Sequence, residues 1–193
     1  MKVSLLVLIT LLFSTQAIAT EFEDILRAAE AGNSSAQSAA GVSYHFGVYP
    51  KTRELIEKNS DEAVRWLNAA IENGNCFAAW FLGGLYNEGK GVEKNLDLAA
   101  KYFLLAAERG HVKAQRNISS FYFHGTSVVQ DYDAAFAWVS LANYNELGHK
   151  NTQALLNMIV PKLENREFSN YLAAEHIRKH SEPQADCGNG SAG

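Results

Sequence analysis

Small and apolar side chains recur along the middle of the chain at a spacing of 36 residues. The first copy comprises Ala78, Leu82, Tyr86, Gly89, Val92, Asn95, Ala99, Tyr102, Ala106 and Gly110. The next copy comprises Ala114, Ile118, Tyr122, Gly125, Val128, Asp131, Ala135, Trp138 and Ala142, with its last glycine displaced to Gly148. Helical spacing inside a repeat of this length is typical of stacked helix pairs. The pattern therefore predicts an all-α solenoid.

An earlier copy of the same pattern is stretched. It comprises Ala36, Ala40, Tyr44 and Gly47 in its first half and Asn59, Ala63, Trp66, Ala70 and Gly74 in its second. The two halves lie six residues further apart than in the next copy. We therefore place an insertion within residues 48–58, where solenoids tolerate loops on one face.

The residues between the apolar positions predict where the helices end. Gly89 and Gly125 suit the left-handed position after a first helix, and Asn59, Asn95 and Asp131 suit the N-cap of a second helix. Glu62 stands three residues after Asn59, the spacing of a capping box. The predicted helices are 21–31, 36–46, 60–73, 76–88, 96–109, 112–124, 132–144, 151–163 and 167–180, with Pro161 ending or kinking the eighth.

These residues resemble the Sel1-like repeat family, a relative of the tetratricopeptide repeats. The second unit carries the resemblance through Ala78, Leu82, Gly83, Tyr86, Gly89, Gly91, Val92, Ala99, Ala106, Ala107 and Gly110. It departs from the family pattern at Asn95 and Tyr102, and the third unit departs at Ser127. The resemblance implies a right-handed superhelix of antiparallel helix pairs that acts as an adaptor, often in the bacterial cell envelope.

The ends of the chain predict export. Residues 1–19 have a lysine, an apolar run and an Ala-x-Ala ending, which is the pattern of a signal peptide cleaved after Ala19. Residues 20–180 would form the solenoid, with units at about 32–74, 75–110 and 111–148 and a degenerate terminal pair at 149–180. Residues 181–193 contain too little apolar surface to order themselves. We expect a periplasmic or secreted protein with no stable membrane insertion after cleavage.

The net charge disfavours some classes of partner, and the two cysteines leave one disulfide open. The net charge of −4 becomes −5 after cleavage, which disfavours nucleic acid and anionic membranes as partners. The chain has two cysteines, Cys76 and Cys187. They could pair in an oxidising compartment, or Cys76 could be a buried apolar residue and Cys187 unpaired.

The sequence contains little that predicts catalysis. We find no S-x-x-K, G-x-S-x-G, phosphate-loop or H-E-x-x-H motif, so we predict no catalytic residue, cofactor or metal. His176 and His180 have the spacing of two zinc ligands on one helix face, but a solvated polar stripe is the favoured interpretation. His45 and His124 are interpreted as surface or groove residues.

Binding is therefore the first functional hypothesis. In such arrays the first helix of each unit tends to line the concave side, and the aromatic Trp66 and Trp138 are expected to pack between helices. The predicted binding residues occupy first-helix positions that the repeat leaves free, and they are Trp80, Asn87, Arg116, Phe123 and His124. Trp80 could instead pack between repeats.

The leading hypothesis is an exported, non-enzymatic scaffold that binds a protein or an extended peptide in the cell envelope. The alternative is a cell-wall enzyme or β-lactam-binding protein similar to cysteine-rich relatives, although no repeat here contains a cysteine pair. A third hypothesis is a secreted effector that acts on a host.

Overall fold

The computed structural model describes residues 21–180. The predicted signal peptide at 1–19, the tail at 181–193 and Cys187 lie outside the described residues. Within the described part, nine α-helices follow one another, with a 3-10 helix at Val160–Lys162 between the last two. The helices are α1 Glu21–Glu30, α2 Ser34–Phe46, α3 Ser60–Glu72, α4 Cys76–Glu88, α5 Leu96–Glu108, α6 Val112–His124, α7 Tyr132–Asn145, α8 Lys150–Ile159 and α9 Arg166–His180.

The helices form a solenoid of successive pairs. We call α2, α4 and α6 the first helices and α3, α5 and α7 the second helices of the three units. Each first helix packs on the second helix of its own unit, and α3 and α5 also pack on the first helix that follows. Helix α1 packs on α2, while α8 and α9 both pack on α7. The predicted all-α repeat fold is confirmed.

Local capping chemistry explains the helix boundaries. The side chains of Asn59, Asn95 and Asp131 accept hydrogen bonds from backbone N–H groups in the first turns of α3, α5 and α7, as predicted. Gly89 and Gly125 adopt φ angles of 71° and 68° after α4 and α6, also as predicted. The helix ends therefore follow from residues that are local in the sequence.

The predicted capping box at α3 is wrong in its second half. Asn59 does accept a hydrogen bond from the backbone N–H of Glu62, at 3.1 Å. The carboxylate of Glu62 does not return to Asn59, because it binds the guanidinium of Arg65. The backbone N–H of Asn59 donates instead to the carbonyl of Tyr44, at 3.0 Å.

Small residues allow the two helices of a unit to pack closely. A Cβ atom at Gly83 of α4 would lie 2.8 Å from the ring of Phe103 in α5, closer than two carbon atoms can approach. The equivalent residue of the third unit is Ser119, whose hydroxyl donates to the carbonyl of Ala135 at 2.7 Å. The short side chain at this position therefore sets the spacing between the helices.

Large aromatic side chains fill the remaining space, as expected. Trp66 and Trp138 are 5% and 6% exposed. Tyr102 occupies the same place in the second unit and stays half-buried, with its hydroxyl donating to Asn68 at 3.1 Å. Burying side chains of this size supplies much of the hydrophobic stabilisation of such a small domain.

The insertion in the first unit forms a loop, as predicted. Val48 and Leu55 form an isolated antiparallel bridge across it. Tyr49 is only 5% exposed, and its ring centroid lies 6.0 Å from that of Phe22 in α1. The inserted residues therefore cover part of the N-terminal end of the solenoid.

The C-terminal pair covers the last unit incompletely. Ile159 of α8 and Ala173 of α9 are buried against Phe136 and Val139 of α7. Helix α8 ends at Ile159 and Pro161 lies in the 3-10 turn, as the position of the proline predicted. Several large apolar side chains nevertheless stay exposed at this end, namely Tyr144, Leu147, Met158, Phe168 and Tyr171.

The interpretation of His176 and His180 as a solvated stripe is wrong. The ring of His176 is partly buried and meets Trp138 edge to face, with centroids 4.2 Å apart. Burial is the main reason that its pKa falls to about 4, followed by the nearby His180 and Lys179. Helix α9 therefore uses His176 to pack against α7.

Candidate interaction groove

Two adjoining depressions share Trp80 and Asn117 and together form one groove, with volumes of about 250 and 450 Å³. Most of the lining residues lie on α2, α4, α6 and α8, so the groove follows the first helices of the solenoid. The smaller depression is lined by His45, Phe46, Trp80, Phe81, Gly84, Leu85, Asn87, Glu88, Lys90, Phe103 and Asn117. The larger is lined by Trp80, Lys113, Arg116, Asn117, Ser120, His149, Asn151 and Leu155.

Aromatic side chains of α2 and α4 and the imidazole that caps α6 contact one another in a row beside the smaller depression. We call this set the aromatic row, and its members are Phe46, His45, Phe81, Phe77, Trp80 and His111. Neighbouring ring centroids along the row lie 4.8 to 6.0 Å apart. Phe46 is 57% exposed, and Phe77, Trp80 and Phe81 are half-buried. The row therefore offers a partly exposed apolar surface that is already ordered.

Trp80 is the residue that joins the two depressions. Its ring stacks on His111 with centroids 4.9 Å apart and planes inclined by 23°. Its indole Nε1–H donates to the side-chain oxygen of Asn117 at 3.2 Å. The ammonium of Lys113 lies 4.9 Å from the ring centroid, within cation–π range. These three contacts hold the half-exposed indole in one orientation.

Cationic and amide side chains line the larger depression. Arg116 is 9% exposed and its Nη1 donates to a carboxylate oxygen of Glu146 at 2.7 Å. That hydrogen bond is the main reason that the pKa of Glu146 lies below its usual value. Lys113 is exposed, and no acidic residue is among those lining this depression. The two halves of the groove therefore differ in chemistry.

His111 supports the groove from below. It is the N-cap of α6, and its Nδ1 accepts a hydrogen bond from the backbone N–H of Ala114 at 3.3 Å. Its pKa is lowered to about 4, mainly by burial and in addition by the charges of Lys113 and Arg116. The imidazole is therefore neutral at pH 7, which the cap requires because a protonated Nδ1 cannot accept.

The structure brings three of the five predicted binding residues to the groove. Trp80 and Asn87 line the smaller depression, and Trp80 and Arg116 line the larger one. Phe123 instead packs against Tyr132, with centroids 5.6 Å apart, in the cluster below α8 and α9. His124 is exposed at the end of α6. His45 lies in the groove as expected, although it is only 6% exposed.

The binding residues predicted from the sequence do not include Phe77, Lys113 and His111, which form or support the groove. Phe77 precedes Trp80 and Phe81 by three and four residues, the spacing of one helix face, so that signal was present. Lys113 lies over Trp80 only because α6 packs beside α4, and no local pattern reports that. His111 occupies the cap position that Asn75 holds one unit earlier, a correspondence that the repeat could have revealed.

The described residues contain neither a three-ligand metal cluster nor a helix suited to span a membrane. Between residues 21 and 180, no group of three or more His, Cys, Asp or Glu side chains is arranged to hold a metal ion, so the His176 and His180 pair has no third ligand there. No helix in this range is both long and apolar enough to cross a membrane.

Comparison with known proteins identifies the family. The Sel1 repeat family model matches residues 34–75, 76–111 and 112–145, more than half of the chain. The chain therefore belongs to the Sel1 repeat family. No curated protein matches the sequence.

Two solved structures resemble the solenoid. One is c5321, a protective antigen of uropathogenic Escherichia coli strains with an SLR fold, which aligns with a TM-score of 0.69 and 28% identity over 82% of this chain and 33% of that one. The other is a Sel1 repeat protein from Oxalobacter formigenes, with a TM-score of 0.61 and 31% identity over 69% of this chain and 95% of that one. The present chain thus spans about a third of the antigen.

Sel1 repeat proteins generally mediate protein–protein interaction, and the fold is typically a non-enzymatic scaffold. The family assignment therefore agrees with a groove that presents contact surface.

Proposed function

We propose that this protein is an exported adaptor that binds a protein or an extended peptide of the bacterial cell envelope in its groove. The observation that carries the proposal is the aromatic row, which places the exposed or half-exposed rings of α2 and α4 on one ordered surface, namely those of Phe46, Phe77, Trp80 and Phe81. Partly exposed aromatic side chains beside hydrogen-bonding groups are typical anchors of protein interfaces. The export part rests on the signal-peptide pattern of residues 1–19.

The packing of the groove supports recognition of a partner. Trp80 is fixed by His111, Asn117 and Lys113, so little side-chain entropy is lost when a partner covers it. The smaller depression, at about 250 Å³, lies below the roughly 300–1,000 Å³ of typical small-molecule sites. This half of the groove therefore has room for a side chain of a longer partner.

The experiment needs variants that change the groove without changing the fold. Trp80 and Arg116 are unsuitable, because Trp80 packs against the core and the buried Arg116 binds Glu146 of the same chain. Phe46 is 57% exposed and Asn87 lines the groove, so Phe46→Ala/Asn87→Ala is the groove variant. Tyr171→Ala/Asn170→Ala removes the same kinds of side chain from exposed positions of α9 and is the matched control.

The test is affinity capture from envelope extract by the chain from residue 20 onward, after circular dichroism has verified that both variants fold. We expect one partner that the wild type and the α9 control retain and the groove variant loses. Equal retention by all three proteins would contradict the groove as the binding surface. Fractionation of the producing cells tests the location, and recovery only in the medium would favour the secreted effector.

A further inference from the structure

We infer that the groove recognises an acidic segment, in which an aspartate or glutamate lies within a few residues of an aromatic or large apolar side chain. This inference rests on the proposed function and specifies the chemistry of the partner. It follows from the difference between the two halves of the groove and from the residues that join them.

The larger depression supplies the positive charge. Lys113 and Arg116 both line it, and no carboxylate is among its lining residues. Glu146 neutralises Arg116 through a 2.7 Å contact, whereas Lys113 makes no ion pair with any carboxylate between residues 21 and 180. One ammonium group therefore stays available to a carboxylate of the partner.

The surroundings of Lys113 hold that ammonium in the groove. It lies 4.9 Å from the centroid of the Trp80 ring, which favours one position of an otherwise flexible side chain. Asn117, Ser120 and Asn151 add polar groups around it that can donate to a carboxylate. The pKa of the neighbouring His111 is lowered mainly by burial, and the charges of Lys113 and Arg116 lower it in the same direction.

The positive charge of the larger depression contrasts with the negative net charge of the whole chain. Its formal net charge is −4, which gives an acidic partner a weak overall repulsion, so we expect the attraction to be local to the cations of this depression. Charge complementarity of this kind raises the association rate and excludes partners of the wrong sign. A basic segment would instead place like charges beside Lys113.

Trp80 and Asn117 determine how far apart the acidic residue and the apolar residue of the partner should lie. Trp80 and Asn117 line both depressions, so the aromatic half and the cationic half adjoin without an intervening wall. An extended segment advances about 3.3 Å per residue. When an apolar side chain of the partner occupies the smaller depression, the residues next to it in the partner sequence can therefore reach the larger depression.

The experiment selects random short peptides displayed on phage against the immobilised chain from residue 20 onward. Binders are then measured with synthetic fluorescent peptides against wild type, Lys113→Glu, Lys101→Glu and the groove variant Phe46→Ala/Asn87→Ala. Lys101 is exposed on α5 and is absent from the groove lining, so it controls for the change in net charge. Circular dichroism verifies that each variant is folded.

We expect the selected peptides to combine an acidic residue with an aromatic or large apolar one. Their affinity should fall at least about tenfold in Lys113→Glu, change little in Lys101→Glu, and weaken as salt is added. Basic or neutral peptides that bind wild type and lose affinity in Phe46→Ala/Asn87→Ala would overturn the acidic specificity and leave the groove as the binding site. Peptides that bind the groove variant as well as wild type would overturn both proposals.

Discussion

One face of α4 is buried in the solenoid, and the other face lines the groove. On one face Ala78, Leu82 and Gly83 are completely or almost completely buried between the helices of the solenoid. On the other face Trp80 and Asn87 line the groove and keep part of their surface exposed. The buried face consists of residues that the repeat pattern requires, and the groove face consists of residues that it leaves free. The same helix therefore carries the fold on one side and the candidate binding surface on the other.

Substitutions on the two faces of α4 should differ most clearly in the free energy of unfolding. Leu82→Ala removes a fully buried side chain and should lower the free energy of unfolding by about 2–5 kcal/mol. Asn87→Ala lies on the groove face of the same helix and should change it by no more than about 0.5 kcal/mol. Urea denaturation followed by circular dichroism measures both, and similar losses would mean that the groove face also carries the fold.

A second prediction concerns Cys76, which is fully buried at the start of α4. If it pairs with Cys187, Cys187→Ser should lower the free energy of unfolding by about 2–4 kcal/mol under oxidising conditions. Peptide mapping of the non-reduced protein should identify the linked pair directly. Two alkylated thiols in the unfolded, non-reduced protein would contradict the pairing.

Adjacent glycines of α4 provide the sharpest comparison of the two faces. Gly83→Ala would force a Cβ atom against Phe103 and should cost about 1–3 kcal/mol. Gly84 has nothing within 4 Å of an added Cβ atom, so Gly84→Ala should stabilise the helix by about 0.5–1 kcal/mol. Thermal unfolding of the two variants should shift in opposite directions, and shifts of the same sign would refute the assignment of faces.

Arg116 lines the groove and also contributes to the stability of the fold. Its side chain is buried and pairs with the half-exposed Glu146, so Arg116→Ala should lower the free energy of unfolding by only about 1–2 kcal/mol. Arg178→Ala breaks an exposed pair on α9 and serves as the control, with no measurable change expected. Chemical denaturation at low and high salt checks both variants.

The last prediction concerns the pH dependence of stability. The pKa of His111 is lowered to about 4 in the fold, so unfolding takes up a proton when the pH lies between about 4 and the usual value of about 6.5. Stability should therefore fall as the pH decreases through this window, by up to about 1 kcal/mol per pH unit. His111→Asn keeps a capping side chain like that of Asn75 and should flatten this part of the profile of melting temperature against pH. An unchanged slope would show that other groups cause it.

The candidate site was predictable only in part. Trp80 stood out because it is a large aromatic residue at a position that the repeat does not require, and the structure places it at the centre of the groove. Arg116 was expected to be available to a partner, but Glu146 folds back from a position 30 residues later and binds it. Phe123 was expected in the groove, yet it packs against Tyr132. Partners brought together by folding decided both outcomes.

The repeat, the helix boundaries and the fold class could be predicted without coordinates, because they depend on local signals. The 36-residue spacing, the capping side chains and the glycines with positive φ act within one or two turns of a helix, so they can be recognised without coordinates. Only the tertiary structure decided which exposed cation lies over Trp80 and which histidine is buried against Trp138. Those contacts join residues of different helices, and their energies depend on packing distances that no local pattern specifies.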